Sequence, residues 1–170
     1  TADCIPVLLY DEEHHAVAAI HAGWRGTLAR IVHKAMQEMA FAYKTEPKHL
    51  KAVIGPGISM ENFEVGDEVY EAFEQAAFPM EKIAAQYPNA AFKANPEERE
   101  RMAAEGNIDQ PLKWHINLPL CNKEILIHCG VLEENIHDCG ICTFAHSDEY
   151  FSARKLGTDS GRIYSAIMLK

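Results

Sequence analysis

Two apolar runs near the start of the chain decide the fold class: C-I-P-V-L-L-Y at residues 4–10 and A-V-A-A-I at residues 16–20. The polar stretch D-E-E-H-H at residues 11–15 separates them. Apolar runs of this length with a short polar break are typical of two buried strands joined by an exposed turn. We therefore predict a hairpin. Antiparallel pairing would bring the start of the first strand beside the end of the second.

Helix and strand patterns interleave along the rest of the chain. The helical spacing of apolar residues predicts three helices, over residues 28–43, 66–78 and 118–130. Apolar runs and alternation predict three more strands, at residues 51–57, 136–144 and 162–169. Residues 80–110 are charged and are predicted to form a surface excursion with a short helix near 97–105. This interleaving indicates a mixed α/β (α+β) fold.

Composition excludes several classes of protein. A chain of 170 residues that is 48% hydrophobic is typical of one globular domain, so we predict a single domain over residues 1–170. The net charge of -9 argues against a nucleic-acid surface, which needs a surplus of Lys and Arg. No apolar run is long enough to span a membrane. We expect a protein without nucleic-acid or membrane partners, and the sequence leaves its oligomeric state open.

The cysteines and the first residues bear on where the protein works and how much of it is present. Five cysteines are scattered through a chain with no secretory leader, which favours reduced thiols and a cytoplasmic location. The chain has no initiator Met and begins within a predicted strand. We therefore expect an N-terminal segment to be missing.

Cys4 and His21 stand at the two strand ends that the hairpin would bring together. A thiolate and an imidazole are ligands suited to zinc. The alternative is that Cys4 is a small buried apolar residue and His21 a hydrogen-bonded residue at a strand end. Two donors do not complete a zinc site, and spacing identifies no third.

Cationic residues occur in two glycine-containing segments. Arg25 lies in the G-W-R-G turn at the start of a predicted helix, where free N–H groups and the helix dipole favour an anion. Arg154, Lys155 and Arg162 surround glycines in the C-terminal segment of an otherwise acidic chain. Both segments are candidate phosphate sites. The alternatives are an ordinary surface arginine and a basic hairpin loop.

A second cluster of possible ligands follows H-x-C-x-x-C-x-x-x-H, from His137 to His146. The spacing is compatible with a zinc knuckle, and C-G-I-C is compatible with a redox dithiol. However, the motif does not open a helix, which would lower a thiol pKa, and its apolar residues are typical of a strand that enters a core. The chain also lacks the H-x-E element of nucleobase zinc deaminases.

Several motifs together resemble one known family. They are T-A-D-C-x-P-V-L-L at residues 1–9, H-A-G-W-R-G at 21–26, I-G-P-G-I at 54–58, F-E-V-G at 63–66, C-T at 142–143, F-S-A-R-K at 151–155 and S-G-R at 160–162. In this order they resemble the YfiH family, also called the laccase-domain or polyphenol oxidoreductase family. The resemblance implies a mixed-sheet, four-layer α/β/β/α sandwich, here incomplete at its N-terminus.

The resemblance also implies a metal site. In that family zinc is held by residues that correspond to Cys4 and His21, and by a histidine from an upstream segment that would precede Thr1. The family usually has two arginines where this chain has Arg154 and Lys155, and lysine cannot form the planar fork of a guanidinium.

The implied activity is zinc-dependent phosphorolysis of adenosine- or inosine-type purine nucleosides, together with adenosine deamination. The implied partners are purine nucleosides and phosphate. The residues that would carry the chemistry are Asp3, Arg25 and Cys142, with phosphate held by Arg25, Arg154 and Arg162. The preferred nucleoside, the role of residues 80–110 and the step served by Cys142 stay open.

Two other functions stay open beside this one. A copper-dependent polyphenol oxidoreductase is the first. Blue-copper chemistry would need a His2Cys set with a weak axial ligand, and the chain lacks the H-x-H pairs that multicopper oxidation uses. A zinc-binding protein without catalytic activity is the second. The metal expected is zinc, with copper as the alternative.

Overall fold

The predicted hairpin is present in the computed structural model, which describes residues 1–88, 101, 112–157 and 159–170. The strands in chain order are β1 (Ile5–Asp11), β2 (Ala16–Ala22), β3 (Leu50–Ile54), β4 (Glu64–Val65), β5 (Ala84–Pro88), β6 (Leu112–Ile116) and β7 (Ile136–Asp138). The α-helices are α1 (Trp24–Leu28), α2 (Ile31–Tyr43), α3 (Asp67–Gln75), α4 (Met80–Ile83), α5 (Leu118–His128) and α6 (Ala153–Leu156). The mixed α/β class is therefore confirmed.

Two compact units make up the described chain: Thr1–Ser59 with Leu118–Lys170, and Met60–Asn117. The first unit holds a four-stranded sheet in the order β2-β1-β3-β7, in which only β3 and β7 are parallel. The second unit holds an antiparallel sheet in the order β4-β6-β5. The organisation of residues 1–170 as a single domain stays a prediction.

One face of the four-stranded sheet forms the core of the first unit. Alternate residues of β1 (Ile5, Val7 and Leu9) are all 0% exposed, as expected for side chains that point to one side of a strand. Helices α2 and α5 pack against this sheet and against each other. Val53 on the opposite face of the sheet is 39% exposed. The first two apolar runs are therefore buried strands, as predicted, but the side chains that are buried lie chiefly on one face of the sheet.

Aromatic side chains dominate the core of the second unit. Phe73 is fully buried and contacts Phe78, with 4.9 Å between ring centroids. The Tyr70 ring stacks on Trp114 at 3.9 Å, which joins α3 to the central strand of the small sheet.

No helix in the described ranges is long and apolar enough to cross a membrane.

The structure corrects several element boundaries. The helix predicted over residues 28–43 is interrupted because Arg30 takes the left-handed conformation (φ 54°), which ends α1 and allows α2 to begin separately. The strand predicted at 136–144 ends at Asp138. No strand forms at 162–169 among the described residues; the described backbone pairing of this segment is between Ile163 and Thr1.

The segment 80–116 was incompletely predicted. Helix α4 and strand β5 occupy residues that the sequence assigned to a surface excursion, and β6 was not predicted at all. The short helix predicted near 97–105 lies outside the described residues, except for residue 101.

A buried carboxylate closes the turn of the hairpin. Asp11 is 0% exposed, and its Oδ1 accepts hydrogen bonds from the backbone N–H groups of Glu13 and His14. Its Oδ2 lies 3.0 Å from His14 Nδ1. Burial alone would raise the pKa of this carboxyl, but the neighbouring Thr45 hydroxyl and the bonds from His14 outweigh it. The pKa of Asp11 therefore lies below its ordinary value of 3.8.

This carboxylate gives a prediction about stability. We expect Asp11→Asn to lower the free energy of unfolding at pH 7 by about 1–3 kcal/mol, because charged hydrogen bonds are lost in a buried turn. A folded-state pKa below the unfolded value stabilises the protein above pH 3.8, and this contribution disappears as the pH falls through the lower folded-state pKa. Denaturant unfolding from pH 7 to pH 2 measures both effects. An equal pH dependence in the parent and in Asp11→Asn would contradict this role.

Candidate metal and anion site

The hairpin brings Cys4 and His21 to the same place. Pro6 pairs with His21 and Ile5 with Ala22, so Cys4 lies opposite the residue after β2, which is Gly23. A Cβ added at Gly23 would lie 2.9 Å from Cys4 Sγ and 3.7 Å from His21 Nε2. Both donor atoms therefore border the space that the absent Gly23 side chain leaves. The antiparallel arrangement expected from the sequence is confirmed.

A sulfur donor and a nitrogen donor therefore border the same small space. Thiolate and imidazole together suit zinc, and they also suit copper. Among the described residues, no group of three or more His, Cys, Asp or Glu side chains is arranged to hold a metal. Cys4 and His21 supply two donors of suitable chemistry, and their assignment as metal ligands stays a prediction. The His137–His146 cluster does not form a three-ligand site within the same ranges.

The geometry at Gly23 gives a direct prediction. We expect Gly23→Ala to weaken zinc binding about 10- to 100-fold, since the new methyl group would press on Cys4 Sγ and move it from His21. Gly26→Ala is the matched control, because its Cβ would meet its nearest atoms at 3.4 Å. Competition with a chelator measures zinc affinity in both variants. An equal loss in the two variants would show that the space at Gly23 is not part of the metal site.

Asp3 is fixed by two parts of the chain that are distant in sequence. Its Oδ1 accepts a hydrogen bond from Thr143 Oγ1 at 2.8 Å, and its Oδ2 accepts one from the backbone N–H of Arg154 at 2.7 Å. Asp3 has a φ of 80°, a conformation that aspartate tolerates better than most residues. Burial, followed by the charge of Asp3, raises the pKa of the Cys4 thiol; positive charges that include Arg162 offset this in part.

Arg25 lies in the first turn of the short helix α1, which follows β2. Gly23 is the N-terminal cap of α1, and the Arg25 guanidinium stands 4.2 Å from the centre of the Trp24 ring. Arg25 is an exposed residue. The glycine-containing turn predicted from G-W-R-G is present, and it holds a cation close to the two metal donors in sequence.

The two other predicted phosphate-binding arginines have different surroundings. Arg162 Nη1 donates to the carbonyl oxygens of Ser160 and Gly161, the latter at 3.0 Å. The guanidinium therefore folds back on its own turn, and its charge acts on Cys4. Arg154 is an exposed residue whose backbone N–H holds Asp3. Phosphate binding by these two side chains stays a prediction.

Cys142 is a buried thiol surrounded by hydrogen-bond donors. The backbone N–H of Ser59 lies 3.3 Å from Cys142 Sγ, and Gly57 pairs with Cys142 in a parallel bridge. Burial opposes ionisation, but bonds from Ser59 and from the backbone of Phe144 and Ala145 outweigh it, so the pKa of Cys142 is lowered. Cys142 directly precedes the threonine that binds Asp3. The sequence did not identify Ser59.

A cavity of about 190 Å³ opens beside His21 in the first unit. Its walls combine apolar and polar residues from β1, β2 and the C-terminal segment, including Leu8, Ala19 and Ile163. Tyr164 and Ser165 complete the side formed by the C-terminal segment. His21, one of the two candidate metal donors, therefore borders a concave surface of the first unit.

Comparisons with known proteins agree with the motifs. Residues 1–170 match the family described as multi-copper polyphenol oxidoreductase laccase. A purine nucleoside phosphorylase of Bacteroides thetaiotaomicron is 42% identical over 169 residues, which cover 99% of this chain and 55% of that protein. Adenosine deaminase RL5, from an unknown prokaryotic organism, is 37% identical over 170 residues, which cover all of this chain and 56% of that protein.

A solved structure shows the same fold. The crystal structure of the hypothetical protein YfiH from Bacillus licheniformis superposes with a TM-score of 0.70 at 26% identity, covering 91% of this chain and 50% of the other. The chain thus spans about half the length of the relatives that it matches. The chain belongs to the laccase-type YfiH family of polyphenol oxidoreductase domains.

Proposed function

We propose that this chain is part of a zinc-dependent enzyme of purine nucleosides, which cleaves adenosine- or inosine-type nucleosides with phosphate and also deaminates adenosine. The observation that carries the proposal is the convergence of Cys4 Sγ and His21 Nε2 on the space beside Gly23. Relatives named purine nucleoside phosphorylase and adenosine deaminase match the whole of this segment. Their names supply the substrate class.

Cys4 and His21 would hold the zinc ion. Zinc supplies Lewis-acid chemistry when it is bound. Asp3 orients the site rather than acting freely, because Thr143 and the Arg154 N–H each occupy one of its oxygens. Such a supporting carboxylate fixes the start of β1, and with it the position of the Cys4 thiol.

Phosphorolysis forms a bond between a phosphate oxygen and the anomeric carbon of the ribose, and it breaks the bond from that carbon to the base. Arg25 is the residue that we assign to phosphate, since its guanidinium is exposed and stands on the rigid Trp24 ring. Arg154 and Arg162 are assigned to the same anion as a secondary set. We assign Cys142 to the same site, because it directly precedes Thr143, whose hydroxyl donates to Asp3.

The two proposed reactions can be separated by experiment, because only one of them uses phosphate. Deamination of adenosine consumes water and releases ammonia, so it needs no phosphate. Incubating the intact, zinc-loaded protein with inosine and with adenosine, each with and without phosphate, tests the proposal. We expect ribose 1-phosphate and hypoxanthine only when phosphate is present, and ammonia from adenosine in either case. Release of ribose without phosphate would contradict the phosphorylase assignment.

A copper-dependent polyphenol oxidase is the second candidate, since the matching family carries that description. Elemental analysis of the purified protein separates the two, because zinc without copper favours the nucleoside enzyme. Oxygen consumption with a polyphenol, dependent on added copper and on Cys4, would favour the oxidase instead.

A further inference from the structure

A buried hydrogen bond links helix α5 to the turn that carries Arg25. Asn122 Nδ2 donates to Thr27 Oγ1 at 3.1 Å and to the carbonyl oxygen of Leu118 at 2.8 Å. Asn122 and Thr27 are both 0% exposed, although the sequence separates them by 95 positions. This side-chain contact joins α5 to α1 inside the first unit.

The side-chain oxygen of Asn122 shows that packing alone does not account for an asparagine at this position. Asn122 Oδ1 is buried and has no hydrogen-bond partner in the described part of the chain. An unsatisfied buried acceptor costs stability, and a leucine of similar shape would fill the same space without that cost. The two donated bonds are therefore what the amide contributes at this position.

Thr27 passes this constraint to the site. Its backbone N–H donates to the carbonyl oxygen of Gly23 at 2.8 Å, which closes the turn over residues 23–27. Trp24 and Arg25 lie inside that turn, with the guanidinium over the indole ring. Gly23 also borders Cys4 Sγ and His21 Nε2. A side chain on α5 thus reaches the anion-binding and metal-binding residues through one threonine.

We propose that Asn122 is a positioning residue, which holds the Trp24–Arg25 turn in place through the hydroxyl of Thr27. This inference rests on the proposed function only where it predicts effects on phosphate. Without the Thr27 hydroxyl the turn keeps its backbone bond but loses its side-chain hydrogen bond to α5. Arg25 would then be less well ordered, and weak phosphate binding would be the main effect.

Thr27→Val tests the proposal, because valine keeps the shape of threonine and removes the hydroxyl. We expect the KM for phosphate to rise on the order of tenfold, with a smaller change in kcat. Thr27→Ser restores the hydroxyl and should return the KM for phosphate toward the parent value. Ile125→Val is the control for general destabilisation, since it removes a methyl group from the buried face of α5 and leaves the Asn122–Thr27 bond intact.

A spectroscopic measurement makes the test independent of activity. With Trp114→Phe as background, Trp24 is the one remaining tryptophan of the chain. Its emission and its quenching by iodide report the order of the turn. We expect both to change in Thr27→Val and in Asn122→Leu, and to change little in Thr27→Ser and Ile125→Val.

The outcomes are distinguishable. If the parent protein shows no phosphate-dependent cleavage, the proposed function fails, and the Trp24 signal alone decides the positioning role. If Thr27→Val leaves the Trp24 signal unchanged, or if Ile125→Val changes it equally, the positioning role is overturned. A changed signal in Thr27→Val that Thr27→Ser restores supports it.

Discussion

Cys4→Ser is expected to lose its zinc on dialysis and to lose more than about 100-fold in kcat/KM for nucleosides, because a serine hydroxyl is a poor replacement for a thiolate ligand. The effect should be large because Cys4 is one of only two donors that converge beside Gly23 in the described structure. Zinc per chain, measured by elemental analysis, and steady-state kinetics on the same sample check both parts.

Cys129→Ser is the matched control for that result. Cys129 is another partly buried thiol of the first unit, and burial raises its pKa as it does that of Cys4. It lies just after α5 and outside the candidate site. We expect it to keep its zinc and its activity. A Cys4→Ser protein that retains one tightly held zinc ion would show that the ligands have been assigned to the wrong residues.

Arg25→Ala is expected to lower kcat/KM for phosphate about 100-fold while it changes adenosine deamination much less. The reason is that phosphate takes part in only one of the two reactions. Arg25→Lys keeps the charge but loses the planar fork over Trp24, so its effect should lie between those of the parent and the alanine variant. Parallel assays of phosphorolysis and ammonia release on each variant measure the split.

Lys34→Ala controls for the loss of a positive charge, since Lys34 is exposed on α2. We expect it to leave both reactions at the parent rates. If Arg25→Ala slows deamination as much as phosphorolysis, then Arg25 serves the fold or the metal rather than phosphate, and its assignment would have to change.

The elements that were predicted correctly follow from local sequence patterns. The two apolar runs predicted the hairpin because their order, length and polar break are all local properties. Helix α5 was predicted for the same reason, from Leu118 onward. The bounds of helix α3 agree with the predicted range, residues 66–78, to within a few residues. Gly66 precedes the helix, and its buried residues Val69 and Phe73 are four positions apart, which is helical spacing.

The errors arose where tertiary contacts decide the conformation. The alternation in residues 162–169 is typical of a strand, but a strand needs a partner, and the described backbone pairing of this segment is confined to Ile163 and Thr1. In strand β6 the successive residues Lys113 and Trp114 point to opposite faces of the small sheet. Which face is buried is decided by contacts within the second unit, such as the stacking of Tyr70 on Trp114. The break at Arg30 depends on a single left-handed residue that no periodicity reveals.

The site was predicted in part for similar reasons. Cys4 and His21 could be paired because antiparallel geometry follows from a hairpin. Hydrogen bonds between distant segments, such as those of Asp3 and Cys142, have no local signal. Asn122 did have one: it is a polar residue four positions from both Leu118 and Leu126, on the face of α5 that is buried. A polar residue in a buried stripe indicates a specific partner.

The two bonds of the Asp3 carboxylate have a consequence for how the site is assembled during synthesis. Cys4 and His21 meet within a short hairpin, which can form soon after both have left the ribosome. The partners of Asp3 lie 140 and 151 residues further along, so this carboxylate is fixed only after residues 143 and 154 have been made. We therefore expect Cys4 and His21 to come together early in synthesis, and the hydrogen bonds of Asp3 that hold this end of β1 in place to form late.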